Sequence, residues 1–370
     1  MVHAGNDRDS VSSALAARIG AAIDAGGGWL PFSRFMAMAL YEPGLGYYAS
    51  GRTVVGRMPE GGSDFVTAPE LSPLFGRALA VQVAEALDRS GSDEVWEFGA
   101  GSGALAAELL AALGPRLRRY SIVELSAPLR ERQRAATSGH GGVVRWLDTL
   151  PERMNGVVIG NEVLDAMPVE LLHFDGRSWF ERGVARGEGE PAFAFAHRPT
   201  ALRPPNASAF PAGTTTETHA QAEAFVATLA ERLERGAAFF LDYGFPEAEY
   251  YHPQRDQGTL MCHRQHQVDT DPLADVGAKD ITAHVDFTGI ALAGQDAGFD
   301  VAGYTSQARF LLNCGIAAMM ERATLRERAE AARLVNEHEM GELFKAIAFA
   351  KGLGDYAPLG FAGGDRRHRL

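Results

Sequence analysis

The sequence predicts an α/β protein built on a doubly wound, mostly parallel sheet. Three observations predict it. From residue 95 onward, short apolar runs alternate with stretches of helical period, the pattern of repeated strand–helix–strand units. The first run, VWEF, passes through GAGSG into a helix-like stretch, the strand, glycine turn and helix of a nucleotide-type site. Later runs end in Glu124 and Asn161. Polar groups therefore gather at the strand ends, where open α/β sheets bind ligands.

The elements follow in order. Residues 10–25 have the spacing of an amphipathic helix, with Ser10 or Ser12 as candidate cap and Gly26 to Gly28 as the stop. Pro31 and Ser33 open a second helix to Tyr41, which Pro43, Gly44 and Gly46 end. Residues 52–65 are glycine-rich and read as a mobile loop; 73–87 are helical again. Strands are expected at 95–98, 120–125, 143–146, 157–160, 169–174, 237–243 and 299–305. Helices are expected at 103–113, 127–136, 215–235, 284–297 and 308–322. Residues 169–214 read as hairpins and loops inserted after the fourth strand. Residues 323–350 read as a charged amphipathic helical region, and the closing GGDRRHRL as a basic tail frayed in solvent. The expected division is an N-terminal helical region at 1–90, a core at 91–350 and a tail at 351–370.

Composition narrows the function. A formal net charge of -12 over 370 residues argues against a nucleic-acid binder with a broad basic face. No run of eighteen apolar residues predicts a membrane span. Two cysteines build no disulfide framework, and the N-terminus lacks a basic signal region. A bacterial cytoplasmic protein is the expectation.

Two ligands compete for the glycine turn: a dinucleotide and S-adenosylmethionine (SAM). Gly99, Gly101 and Gly103 let a ligand approach the backbone in either case. Glu97, two residues before Gly99, favours SAM. A carboxylate there attracts the ammonium of its amino-acid moiety and repels a pyrophosphate. Glu124 can accept ribose hydroxyls from either ligand. Asp148 is either an adenine contact or a turn residue. The fourth strand ends in Asn161, with Glu162 and Asp165 beyond, at the edge where a ligand's reactive end lies; a helix cap is the plainer reading of Asn161.

These stretches resemble a known family. LYEPGLGYYASG (40–51), SDFVTAPELSPLFGRALA (63–80), WEFGAGSGALA (96–106) and YSIVELS (120–126) match the MidA family of SAM-dependent methyltransferases. GNEVLDAMPVE (160–170), LDYGFPEAEYYHPQRDQGTL (241–260) and DITAHVDFTGI (280–290) continue the match. The chain departs from the family pattern at Ser63, where glycine is usual, and at Arg77, where an acidic residue is usual. The resemblance implies a class I SAM-dependent methyltransferase fold, Rossmann-like, with an N-terminal helical lid and the insertion after the fourth strand. It implies SAM as cofactor and a protein arginine as acceptor, as in the family's mitochondrial members; no metal is expected from the spacing of the cysteines and histidines. It also implies that the segment with Thr67, Pro69 and Glu70 covers the cofactor. The cofactor contacts are then Glu97, Gly99, Gly101, Gly103, Glu124, Asp148, Asn161, Thr67 and Pro69. The catalytic set is Glu162, Asp165 and Asn161. A small-molecule acceptor, or a SAM-binding assembly chaperone with little turnover, stays open, as does monomer against homodimer.

Other groups carry alternatives. Asp242 either lines the same edge or stabilises the turn before Tyr243 and Gly244. Tyr41, Tyr47 and Tyr48 either flank a planar guanidinium or sit in the core. His284 and Asp286 are an acid–base pair or a helix start. Cys262, His263 and His266 lack the second cluster a zinc site needs.

Overall fold

The computed structural model describes residues 3–50, 67–189, 192–264 and 267–370. The expected loop at 52–65 and His266 lie outside the described residues. Seven strands form the main run of the central sheet: β1 (Glu94–Phe98), β2 (Arg119–Val123), β3 (Val144–Leu147), β4 (Met154–Asn161), β5 (Leu233–Phe245), β6 (Asp300–Ser306) and β7 (Phe344–Lys351), and the two-residue strand Val285–Asp286 pairs in parallel with the end of β5 as an eighth. Their order is β6-β7-β5-β4-β1-β2-β3. The first five in chain order pair in parallel, and β7 inserts antiparallel between β5 and β6. The order reverses at β1 against β4. Their carboxyl ends diverge there into the glycine turn and the acidic turn, which opens a crevice at that edge.

Helices cover both faces. On one, Phe75, Leu79 and Val83 of α3 (Pro73–Ser90) and Leu105 and Leu109 of α4 (Ala104–Leu113) pack on Val95, Val157 and Phe239. On the other, Val226 and Leu229 of α6 (Ala220–Arg232) and Ile290 of α7 (Phe287–Asp296) pack on Val158 and Phe240. With both faces buried, the strands read as continuous apolar runs rather than alternating ones.

A second unit sits over the carboxyl ends. Residues 170–174, 179–186, 193–199 and 215–218, with Leu30–Pro31, form an antiparallel sheet. The helices α1 (His3–Ala25) and α2 (Phe32–Tyr41) pack on it through Leu15, Ile19, Phe35 and Met36, against Leu171, Val184 and Phe193. Cys262 and Ile281, from later in the chain, complete this core. α3 shares the core of the central sheet instead.

Several expectations change. α1 starts at His3, so residues 10 and 12 lie inside it and not at its start; the Ser12 hydroxyl donates to the Val276 carbonyl at 2.9 Å. Residues 215–218 are a strand, the helix runs 220–232, and Leu233 already belongs to β5. The helical stretch at 308–322 divides at Gly315 into helices 307–313 and 316–322. Of residues 323–350, only 325–335 form an α-helix, and FKAIAFAK is the buried strand β7. The closing residues are not frayed. The Arg366 amide donates to Tyr304 at 2.6 Å and the Arg367 guanidinium to the Val301 carbonyl at 3.0 Å, along β6.

The opposite end of the sheet carries a groove rich in arginine, but its side chains are largely occupied. Arg118 and Arg119 pair with Asp93 and Glu94, and Arg153 with Glu234. Arg145 lies over the Trp96 ring and donates to Ser121 at 2.7 Å. The short connection 148–153 brings no helix to this face, and the arginine stems cover it. No helix among the described residues is long and apolar enough to cross a membrane.

Candidate active site

The glycine turn connects β1 to α4. Gly99, Gly101 and Gly103 all have positive φ, at 63°, 52° and 89°, a region other residues enter at a cost. A Cβ on Gly99 would stand 2.7 Å from Val163 Cγ2, and one on Gly103 3.0 Å from Gln133 Cα. The turn therefore needs glycine for both conformation and space. The short helix Ala68–Leu71, with Thr67 as cap and Pro69 in its first turn, lies against it. The Ser102 hydroxyl donates to Glu70, and the Ala68 amide donates to Glu162 Oε1 at 3.3 Å. One segment thus joins the glycine turn to the acidic turn after β4. Arg77, further along, pairs with Glu108 on the outer surface.

Glu97 is 1% exposed and accepts the Tyr120 hydroxyl at 2.7 Å. Burial pushes its carboxyl up to about 7, against the pull of Tyr120. Glu124 follows β2; its two oxygens accept from the Ser126 amide at 2.8 Å and the Gln133 side chain at 3.1 Å. Each oxygen keeps a lone-pair direction for an incoming hydroxyl. Asp148 stands on the rim with its side chain 79% exposed, paired with Arg130. Arg130 also donates to the Glu124 carbonyl at 2.7 Å and the Leu147 carbonyl at 3.0 Å.

The acidic turn leaves β4 at Asn161. Glu162 has φ 53°, an uncommon conformation for a side chain of this kind and one that tends to mark functional sites. Asp242, at the end of β5, holds it there. Its Oδ2 accepts the amides of Val163, Leu164 and Asp165 at 3.0, 2.9 and 3.3 Å, and its Oδ1 accepts that of Tyr243 at 3.0 Å. Asp242 is 1% exposed, so it clamps the turn.

Asn161 donates to Glu162 Oε1 at 2.9 Å, and Asp165 accepts the Tyr243 hydroxyl at 2.6 Å. Asn161 and Asp165 are both buried, and the remaining side-chain oxygen of each has no hydrogen-bond partner among the described residues. Burial, then Asp165, pushes the Glu162 carboxyl up to about 8; burial pushes Asp165 up to about 6.

Of the three tyrosines, Tyr47 is core at 1% exposure and Tyr41 is 43% exposed. Tyr41 stacks on Tyr48 with centroids 5.6 Å apart and donates to the Ala166 carbonyl at 2.8 Å. Tyr48 donates to buried Asp280 at 2.9 Å. Burial, Asp280, Asp165 and Glu124 all hold the Tyr41 hydroxyl protonated. The Tyr41 ring edge faces solvent while its hydroxyl is tied to the chain just past Asp165, at Ala166. Asp286 caps α7, accepting the Thr288 amide at 3.1 Å. His284 stacks on Phe245 and is pushed down to about 4 by burial. No group of three or more metal-type ligands occurs among the described residues.

Gln133, Tyr243 and Asp280, which bond Glu124, Asp165 and Tyr48, were not singled out from the sequence. They lie on elements whose motifs give no sign of which neighbours they meet.

The arrangement suits SAM on its own terms: a glycine turn a Cβ would fill, a half-satisfied carboxylate after β2, and unpaired buried oxygens beyond. Comparisons agree. The model of a family described as "Putative S-adenosyl-L-methionine-dependent methyltransferase" matches residues 78–305. The chain is 28% identical over 388 residues to a Drosophila melanogaster protein named "Protein arginine methyltransferase NDUFAF7 homolog, mitochondrial", covering 90% of this chain and 86% of that one. It is 28% identical over 364 residues to "Protein arginine methyltransferase NDUFAF7, mitochondrial" of Danio rerio, covering 86% and 82%. A Burkholderia thailandensis crystal structure bound to S-adenosyl-homocysteine superposes with TM-score 0.93 at 52% identity, covering 98% of each chain. A native crystal structure from the same organism gives 0.89 at 51%, with the same coverage.

The fold and the crevice at its carboxyl edge are those of a class I SAM-dependent methyltransferase, with SAM as cofactor. Within that class the chain belongs to the MidA family of SAM-dependent methyltransferases.

Proposed function

We propose that this methyltransferase modifies the guanidinium of a protein arginine. The names of the NDUFAF7 relatives support the acceptor. The observation that carries the reading is the acidic turn itself. Glu162 and Asp165 stand beside unpaired oxygens of Asn161 and Asp165, so the turn offers acceptors and wants N–H donors. A guanidinium brings five donors and a fixed positive charge.

Bound SAM supplies an electrophilic methyl group on a cationic sulfur. In this reading the chain supplies position and charge. Gly99, Gly101 and Gly103 give the cofactor backbone approach, Glu124 takes its ribose, and Asn161 and Glu97 lie near its amino-acid end. Thr67 and Pro69 close over it, and Asp148 borders the adenine side. Glu162 and Asp165 grip the guanidinium and hold one nitrogen in line, where alignment alone is worth several orders of magnitude in rate. Glu162, protonated at neutral pH when alone because burial raises it to about 8, loses that proton when a cation docks. It can then take the proton the acceptor nitrogen must release. A cytoplasmic setting belongs to the same proposal, with Cys262 and Cys314 as free buried thiols.

The test is incubation of a cell lysate with methyl-labelled SAM, followed by acid hydrolysis of the protein fraction. Label in methylated arginine, lost with Glu162→Ala while SAM binding persists, is the expected result. Label in the small-molecule fraction would assign a different acceptor, and its absence throughout would leave a SAM-binding chaperone.

A further inference from the structure

The helix α5 (Ala127–Ala136) carries a buried amide that no sequence motif marks. Gln133 is 0% exposed, an expensive position for a polar group unless its atoms are paired. They are. Nε2 donates to the Gly101 carbonyl at 3.1 Å and to Glu124 Oε2 at 3.1 Å. Oε1 accepts the indole N–H of Trp146 at 2.9 Å. One side chain so joins the glycine turn after β1, the carboxylate after β2 and strand β3. An indole nitrogen can only donate. Trp146 therefore fixes which end of the amide faces it, and the NH2 end is committed to Gly101 and Glu124.

The choice of a neutral donor matters. Arg130, the nearby cation, bonds the Glu124 backbone carbonyl and Asp148 rather than the Glu124 carboxylate. The orientation of Glu124 is so fixed by two neutral donors, Gln133 and the Ser126 amide, with no ion pair on its carboxylate among the described residues. A carboxylate's terminal torsion is broad when nothing holds it. A plain structural role, pinning α5 to the sheet, would be served by an apolar side chain of the same size.

We propose that Gln133 is a positioning residue for the cofactor, holding the Glu124 carboxylate and the Gly101 peptide in the orientation the ribose hydroxyls meet, with Trp146 locking its amide. The inference rests on the reading that Glu124 takes the ribose.

The experiment is calorimetric titration of the full chain with S-adenosyl-homocysteine, using Gln133→Leu, Glu124→Ala, the double variant and Trp146→Phe. Gln133→Leu should weaken binding about tenfold, which is about 1.4 kcal/mol. Trp146→Phe should weaken it several-fold. In the Glu124→Ala background, Gln133→Leu should add less than about twofold, because its effect passes through that carboxylate. Thermal unfolding without ligand checks that each variant is folded, and Trp146→Phe carries the test if Gln133→Leu is not. Unchanged affinity in both Gln133→Leu and Trp146→Phe, or an equal loss from Gln133→Leu in both backgrounds, overturns the inference and leaves Glu124 as the ribose contact. Unchanged affinity in Glu124→Ala overturns the site reading and the inference together.

Discussion

Glu162 concentrates the unusual features of the site: a positive φ, a carboxyl raised to about 8, and a bond from the Ala68 amide. Because its folded value lies above the ordinary 4.5 of a glutamate, the folded chain binds more protons than the unfolded chain across that interval. Stability from this group is complete below about 4.5 and is lost as pH rises to about 8. Without ligand, the native Tm should therefore fall between pH 5 and pH 8, and Glu162→Gln should flatten that slope; parallel slopes would show that Glu162 does not hold the proton. Asp242 makes a different expectation. Replacing it with Ala strips four amides of their acceptor, and each buried unsatisfied group costs about 1–3 kcal/mol. Denaturant unfolding should show a loss of about 3 kcal/mol or more. A loss under about 1 kcal/mol would mean that water replaces the carboxylate. The sequence left Asp242 between site and turn, since an Asp before Tyr-Gly reads the same either way; only the return of β5 beside β4 brings it under residues 163–165.

At the scale of elements, periodicity located β1, β2, β4 and β5 because each is a short apolar run ending at a recognisable turn. It missed β7 for a physical reason. FKAIAFAK lies between β5 and β6 with both faces covered, so it lacks the alternation of a half-exposed strand. Lys345 inside it and the acidic stretch before it imitate a charged helix. The error at 215–218 is similar: TTET reads as the start of the helix expected at 215–235, yet it closes the antiparallel sheet beside 170–174. Strand pairing is non-local, and local pattern does not encode it. If β7 is central, Phe349→Ala, which removes a fully buried ring packed against Phe240 and Phe299, should destabilise by about 3–5 kcal/mol in chemical unfolding. A cost near zero would place the strand at a yielding edge.

The whole molecule divides the work between two units. The parallel sheet carries the glycine turn, Glu124 and the acidic turn; the antiparallel unit with α1 and α2 brings Tyr41, Tyr48 and Asp280 over them. The order of motifs in the sequence was enough to place the first half. The second half was less legible, because Tyr41 reaches Ala166 and Tyr48 reaches Asp280 only once the N-terminal helices fold against segments more than a hundred residues later in the chain. Ligand binding should stabilise the whole chain: at one hundred times its Kd, S-adenosyl-homocysteine adds about 2.7 kcal/mol, and NAD at the same concentration should leave Tm unchanged. The most direct measurement is a crystal of this chain soaked with S-adenosyl-homocysteine. The account requires ribose hydroxyls on Glu124, the homocysteine end over Gly99 to Gly103, and the sulfur facing Glu162 and Asp165. A ligand seated away from Glu124, or a sulfur turned from the acidic turn, would contradict it.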